Sequence, residues 1–218
     1  MGIDPLRTRF PVGLRHEGTV RGTGGMRLAD TDGSTDVPSL YAAGDAASRE
    51  AIVGARTGGG SPNAAWAIAT GSWAGAAASR FAKAHSSVQA VDVDAHRAKL
   101  ATSDPHAAVE TLEREVRPPE VHLFRSEQRL TAALRTIDAA LATRAGADAS
   151  LAASRSAYAL MYVAKLSYTS APARRETRGM HRRNDFPLQE GLASRLLISG
   201  VKDEPALRWQ AVAAPAIA

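Results

Sequence analysis

Leu130, Leu134, Ile137 and Leu141 recur every three or four residues, which predicts a helix with one apolar face. Ser126 stands where a cap is needed at its start, and Gly146 follows its end. The same period runs through Val109, Leu112 and Val116. There Asp104-Pro105 supplies a cap and a first-turn proline, and Pro118-Pro119 ends the helix. A third helix is expected after a cap at Asp148, with Leu151, Tyr158, Met161, Tyr162 and Leu166 turned inward, stopping at Ala171-Pro172. Residues 94–171 therefore predict a helical bundle domain. Residues 172–218 show no period and predict an irregular tail that opens with a basic patch.

Upstream the pattern is different. Pro11, Gly13, Gly18, Gly22, Gly24 and Gly25 break any helix before residue 37. Thr19-Val20-Arg21 and Met26-Arg27-Leu28 predict short strands around the Gly22–Gly25 turn, and Asp32-Gly33 predicts a second turn. Residues 38–44 read as a buried strand. A long helix is expected from Ser61 to about Ala84, with Pro62 at its first position and Trp66, Ala69, Thr70, Trp73, Ala77 and Phe81 at helical spacing. Gly71 and Gly75 on that helix are expected to admit a close backbone neighbour. His85 to Val93 reads as a connection, so residues 1–85 form a first unit.

Composition narrows the chemistry. The 218 residues are 44% hydrophobic but only 5% aromatic, which favours close-packed, alanine-rich helices over an all-β fold. There is no cysteine, so disulfides, cysteine-ligated metal and thiol catalysis by this chain are excluded. No apolar run reaches the roughly 18 residues a membrane span needs. Both facts fit the cytoplasm, with any membrane association expected to be peripheral and through a partner. His85, His96, His106 and His122 fit no metal-ligand spacing, and solvated helix positions are expected for them. The net charge of +5 is expected to come from arginines spread over helical surfaces.

The stretch "YAAGDAASREAIVGARTGGGSPNAAW" concentrates the candidate chemistry. An apolar run stops at Gly44-Asp45, and Gly58-Gly59-Gly60 precede the Ser61 helix. No lysine follows the glycines, so this is not a P-loop, and Gly22-Thr23-Gly24-Gly25 lacks the spacing of a dinucleotide fingerprint. The arrangement nevertheless suits an anion. Bare glycine backbone allows close approach, and free N–H groups at a helix start carry partial positive charge. A carboxylate for hydroxyls beside a helix N-terminus for a delocalised anion suggests a flavin. The alternative is a glycine-rich connection before an ordinary helix.

Four stretches, in order, resemble one family. Thr23-Gly24-Gly25 is similar to the end of a His-Tyr-Thr-Met-Gly-Gly element. Pro38-Ser-Leu-Tyr-Ala-Ala-Gly44-Asp45 resembles an FAD-contacting strand that ends in Gly-Asp or Gly-Glu. Arg56-Thr-Gly58-Gly59-Gly60-Ser61 resembles Arg-Leu-Gly-Gly-Asn-Ser. Glu176-Thr-Arg178-Gly179-Met-His181-Arg-Arg183-Asn-Asp185-Phe-Pro187 is similar to Glu-Ser-Arg-Gly-x-His-x-Arg-x-Asp-Phe/Tyr-Pro. These belong to the flavoprotein subunits of succinate dehydrogenase and fumarate reductase, with L-aspartate oxidase in the same branch.

The resemblance implies an α/β FAD-binding-domain remnant (strands, hairpin and one long helix) followed by an α-helical bundle domain. It implies FAD as cofactor and hydride transfer to or from a small carboxylate substrate. Arg56 is implied to hold a substrate carboxylate. Gly44 and Asp45 would meet the ribityl chain, and Gly58, Gly59, Gly60, Ser61 and Asn63 the rest of the flavin. Two departures stand out. Val20 occupies the place of a substrate-binding histidine, with His16 four residues further back. The Gly-x-Gly-x-x-Gly unit and the capping domain that precede these motifs in the family are missing from this sequence. The chain thus resembles the C-terminal part of such a flavoprotein. The implied partners are the missing N-terminal half, or a second copy, and an electron-transfer protein.

Arg174, Arg175, Arg178, His181, Arg182 and Arg183 form the basic patch. Stacking aromatics are not interleaved with it, so a structural or interface role is expected ahead of nucleic acid. The rival reading of the whole chain is a non-enzymatic helical interaction or nucleic-acid-binding module with a basic face.

Overall fold

The structure, a computed structural model, describes residues 25–53, 61–85, 102–146, 149–191, 194–200 and 205–212, without the side chains of residues 51, 53 and 61–63. It is helix-rich with a few short strands. Of the expected first hairpin, Thr19-Val20-Arg21 lies outside these residues, as do Asp148 and most of the 85–93 connection.

The first described segment is held by isolated bridges. Met26 pairs in parallel with Ala47, and Ser34 pairs antiparallel with Tyr41. The expected turn at Asp32-Gly33 forms, with Gly33 at φ 82° and the Ser34 N–H donating to Asp32 Oδ1 at 3.0 Å. The expected strand over 38–44 does not. Ser39 sits at φ 66°, Leu40 is exposed, and only Tyr41 takes part in a bridge. A positive φ at a non-glycine residue interrupts the extended path a strand needs. A 3-10 turn, Gly44–Ala46, and a single turn α1, Glu50–Val53, follow.

Helix α2, Ser61–Ala84, has the predicted bounds. It rests one face on the bridged segment: Thr70, Ala74 and Ala77 are buried, and Trp66 is half-buried. Trp73, on the same helix, is 50% exposed. Among the described residues, a Cβ on Gly71 or Gly75 would meet nothing within 4 Å.

The core lies in three helices: α3, Pro105–Glu115; α5, Glu127–Ala142; and α6, Leu151–Ala173. Between α3 and α5 lie the single turn α4, Pro119–His122, and the two-residue strand β1, Phe124–Arg125. Two caps act as the sequence predicts. Asp104 accepts from the Ala107 N–H at 2.8 Å, and Ser126 accepts from the Arg129 N–H at 3.4 Å. Each satisfies a backbone donor that the helix itself cannot.

The inward face of α6 differs in part from the expected one: Met161 is buried, but Tyr158, Tyr162 and Leu166 are only half-buried and Leu151 is exposed. Ser154, Ala157, Met161, Ala164, Tyr168 and Ala171 are buried, whereas Leu151, Leu160 and Val163 are exposed. Steps of three and four residues make a continuous seam, and it meets Leu130, Ala133, Ile137 and Ala140 of α5. Small residues let the two helices approach, so alanines face inward and the larger side chains of α6 turn out.

Helix α6 does not stop at Ala171-Pro172 but runs through Pro172 to Ala173. The last carbonyls of a helix lack intrahelical donors. Here Arg183 Nη1 donates to the carbonyls of Ala171 and Pro172, both at 3.1 Å. Arg183 comes from β2, Arg182–Arg183, which pairs in parallel with β1. Residues 172–218 are accordingly not irregular throughout. They also form an antiparallel hairpin of β3, Ser194–Ser199, and β4, Ala206–Ala211, with Leu196 opposite Trp209. Arg174 holds this hairpin, donating to the Ser194 carbonyl at 2.8 Å and stacking 4.8 Å from the Trp209 ring. An ion pair joins Arg195 to Glu50 of α1.

Candidate functional site

Of the residues singled out in the sequence, Gly44 and Asp45 are placed with their surroundings. Gly44 has φ 60°, a left-handed turn that suits glycine. Both its backbone groups are tied to α2: its N–H donates to Thr70 Oγ1 at 3.0 Å, and its carbonyl accepts from Trp66 Nε1 at 2.9 Å. The side chain of Asp45 is 74% exposed, with Arg49 Nη2 at 3.4 Å. The structure therefore sets a solvent-facing carboxylate beside the first half of α2. Ser61 and Asn63 lie at the opening of that helix, but their side chains are outside the description. Arg56, Gly58, Gly59 and Gly60 lie outside the described residues altogether.

One large cleft runs between this segment and the helical core. Trp73 lines it on the α2 side, and Val109, Leu160 and Val163 line it on the α3–α6 side. Arginines from several elements reach its walls, Arg125, Arg174, Arg178 and Arg195 among them.

Much of the expected basic patch is internal. Glu176 is buried, and Arg178 and Arg174 both bind it, at 2.9 and 2.5 Å. Burial alone would raise the pKa of Glu176. Hydrogen bonds from Arg178, Arg174 and the Glu190 N–H outweigh that and hold it below the usual carboxylate range. Arg183 is 1% exposed and grips Asp185 with two parallel bonds of 2.7 and 2.9 Å. That bond set lowers Asp185 strongly.

Sequence reasoning missed the cluster between β1, β2 and α6. His122 was expected on a solvated helix position. Instead it is 9% exposed, stacked near Tyr168 at 6.5 Å, and neither ring nitrogen has a hydrogen-bond partner. Burial, and then the charge of Arg125, push it down to about 4. The ring of His181 bridges two groups: Nδ1 lies 2.7 Å from Arg125 Nη1, and Nε2 lies 3.0 Å from the Arg174 carbonyl. The carbonyl requires a proton on Nε2, which leaves Nδ1 to accept from the guanidinium. Burial and Arg125 likewise push His181 down to about 4. Tyr168 donates to the Glu115 carbonyl at 2.6 Å and is raised to about 12, mainly by burial. The only sequence signal for this cluster was His181 within the 176–187 signature. Among the described residues no group of three or more His, Cys, Asp or Glu could hold a metal, and no helix is long and apolar enough to cross a membrane.

The 176–187 stretch lies wholly within a longer match: residues 114–214 fit the sequence profile of the fumarate reductase flavoprotein C-terminal family. The C-terminal part of this chain is thus similar to that flavoprotein region. Solved structures agree in fold. FrdA of E. coli quinol fumarate reductase superposes with a TM-score of 0.66 at 17% identity, over 89% of this chain and 37% of its own. Mycobacterium smegmatis Sdh1 in complex with UQ1 gives 0.62 at 20% identity, over 86% and 34%. The Sdh1 complex in its apo form gives 0.60 at 18%, over 81% and 33%. The chain thus spans about a third of the length of these relatives. No curated protein matches it.

Proposed function

We propose that the chain is the C-terminal portion of an FAD-dependent oxidoreductase of the fumarate reductase and succinate dehydrogenase flavoprotein type. The observation that carries this reading is the flavoprotein match over residues 114–214, which contains the whole 176–187 signature. The segment at Gly44–Asp45 is compatible with the cofactor. Asp45 is exposed, paired through Oδ1 with Arg49, and open to hydroxyl donors from solvent, and Gly44 turns the chain beside α2 without a side chain. In the proposed site Asp45 holds the ribityl hydroxyls. Gly58 to Ser61 and Asn63 bring backbone N–H groups to the flavin. Arg56 clamps the substrate carboxylate with its planar fork. When bound, FAD supplies the hydride chemistry, and the protein's share is to place the reactants and stabilise charge. The proposed partners are an N-terminal flavoprotein half with the nucleotide-binding and capping parts, or a second copy of this chain, and an electron-transfer protein. The rival reading, a nucleic-acid or interaction module with a basic face, is disfavoured because Arg174, Arg178 and Arg183 are engaged by internal carboxylates.

The test is reconstitution with such an N-terminal half, reading flavin absorbance and turnover over a panel of carboxylates. Arg56→Lys is expected to keep flavin and lose roughly 30-fold or more in kcat/KM, the loss of a bidentate contact to a desolvated anion. Asp45→Ala is expected to lower flavin content first. Full activity of Arg56→Lys on every working substrate would remove the clamp from this reading.

A further inference from the structure

We propose that Arg125, backed by His181, forms an oxyanion-binding site on the wall of the cleft, one that takes a carboxylate or phosphate group. The first support is an accounting of charge. Three arginines of this region hold carboxylates: Arg174 and Arg178 share Glu176, and Arg183 holds Asp185. Arg125 has no carboxylate partner among the described residues. Its Nε donates to the His122 carbonyl and its Nη1 meets His181 Nδ1, both uncharged acceptors. Its Nη2 donates to nothing among the described residues.

The second support is position. Arg125 lines the cleft together with His122, His181, Tyr168 and Arg174, so a ligand in the cleft reaches it. Its backbone is fixed on both sides, by the register Arg125 to Arg183 and by the Asn184 N–H donating to the Arg125 carbonyl at 2.8 Å. The guanidinium is therefore preorganised and partly withdrawn from water, without a counter-charge. A group in that state gains more from an oxyanion than an exposed arginine does. Burial and the nearby Arg183 both already disfavour the charge on Arg125.

An anion seated there also reverses the field on the ring beside it. The charged and titratable groups that bear on His181 are Arg125, Arg174 and Arg183. Neutralising the first of them makes His181 easier to protonate, so binding and protonation are coupled.

The experiment uses the full chain, with isotope-labelled histidine, at constant ionic strength set with chloride. Inorganic phosphate and malonate are titrated in separately, as is a short glutamate-rich peptide. The expected result is saturable movement of the His181 ring signals, with His181 titrating at higher pH in the bound form. Arg125→Gln is expected to weaken binding on the order of 10- to 100-fold, the loss of charge-assisted bonds, and Arg125→Lys less. Arg114→Gln, at an exposed arginine paired with Glu115, is expected to leave binding unchanged. Saturation by the small anions identifies a free-anion site. Saturation by the peptide alone identifies an acidic segment of a partner. If none of the three probes moves the wild-type His181 signals more than chloride does, the site does not exist. The same holds if Arg125→Lys and Arg125→Gln bind as wild type does.

Discussion

Replacing Arg183 with methionine tests the most connected side chain among the described residues. The methionine fills similar space but removes the two bonds to Asp185 and the bonds to the carbonyls of Ala171, Pro172 and Arg174. The side chain has no exposed surface. Breaking a buried charged pair by removing one partner costs about 3–5 kcal/mol. Asp185 is partly exposed and regains water, which moves the estimate toward the low end. The stranded carbonyls at the end of α6 move it back by about 1–2 kcal/mol. The expected loss is therefore about 3–5 kcal/mol, a large share of the stability of a small domain. Arg183→Lys keeps the charge but not the fork, and is expected to lose about 1–3 kcal/mol. Urea unfolding followed by far-UV circular dichroism at pH 7 measures both, provided the slope with denaturant is unchanged. A loss below about 1 kcal/mol for Arg183→Met would show that the end of α6 does not depend on the guanidinium.

Stability is expected to fall as pH drops from about 6.5 to about 4, because the unfolded chain protonates its histidines near 6.5 while His122 and His181 resist until about 4. Arg125 presses on both rings, so their effects overlap; together they are worth on the order of 3 kcal/mol. A urea midpoint that is the same at pH 7 and pH 4.5, or a pH slope undiminished in His122→Phe, would contradict this. Gly25→Ala is expected to loosen the bridged segment. Gly25 has φ 118°, and a Cβ would lie 2.8 Å from the Ala47 carbonyl carbon. Faster hydrogen exchange at Met26 and Ser48 than in wild type is the readout, and unchanged exchange would count against it.

Local signals were legible in the sequence, and long-range ones were not. Asp104 and Ser126 act through neighbours three residues away, so the pattern contained both cap and partner. The bounds of α2 follow from the same kind of local reading. The face of α6 was misread because size was taken as the mark of an inward position, while close packing against α5 selected alanines. The β3–β4 hairpin was missed because its support, Arg174 and the ion pair to Glu50, comes from distant sequence. His122 escaped notice for the same reason: only the single turn at Pro119–His122 brings it against Tyr168. The glycine turn at 44 was legible as a turn. That its backbone groups bond to Trp66 and Thr70 was not.

The parallel pairing of Phe124–Arg125 with Arg182–Arg183 also sets an order of events during folding. The α5–α6 pair that separates these strands is antiparallel and local, and it closes a short loop. The strand pair is expected to register after that helical hairpin has formed, because pairing before it would have to close the whole intervening loop. Loop-closure entropy is charged before any of its bonds form. The 176–187 stretch therefore acts as a clasp that shuts late. Damage to it is expected to show in the unfolding limb of a chevron plot, with the refolding limb nearly unmoved. Kinetic persistence of the native state would then rest on this clasp, while the speed of reaching that state rests on the alanine seam.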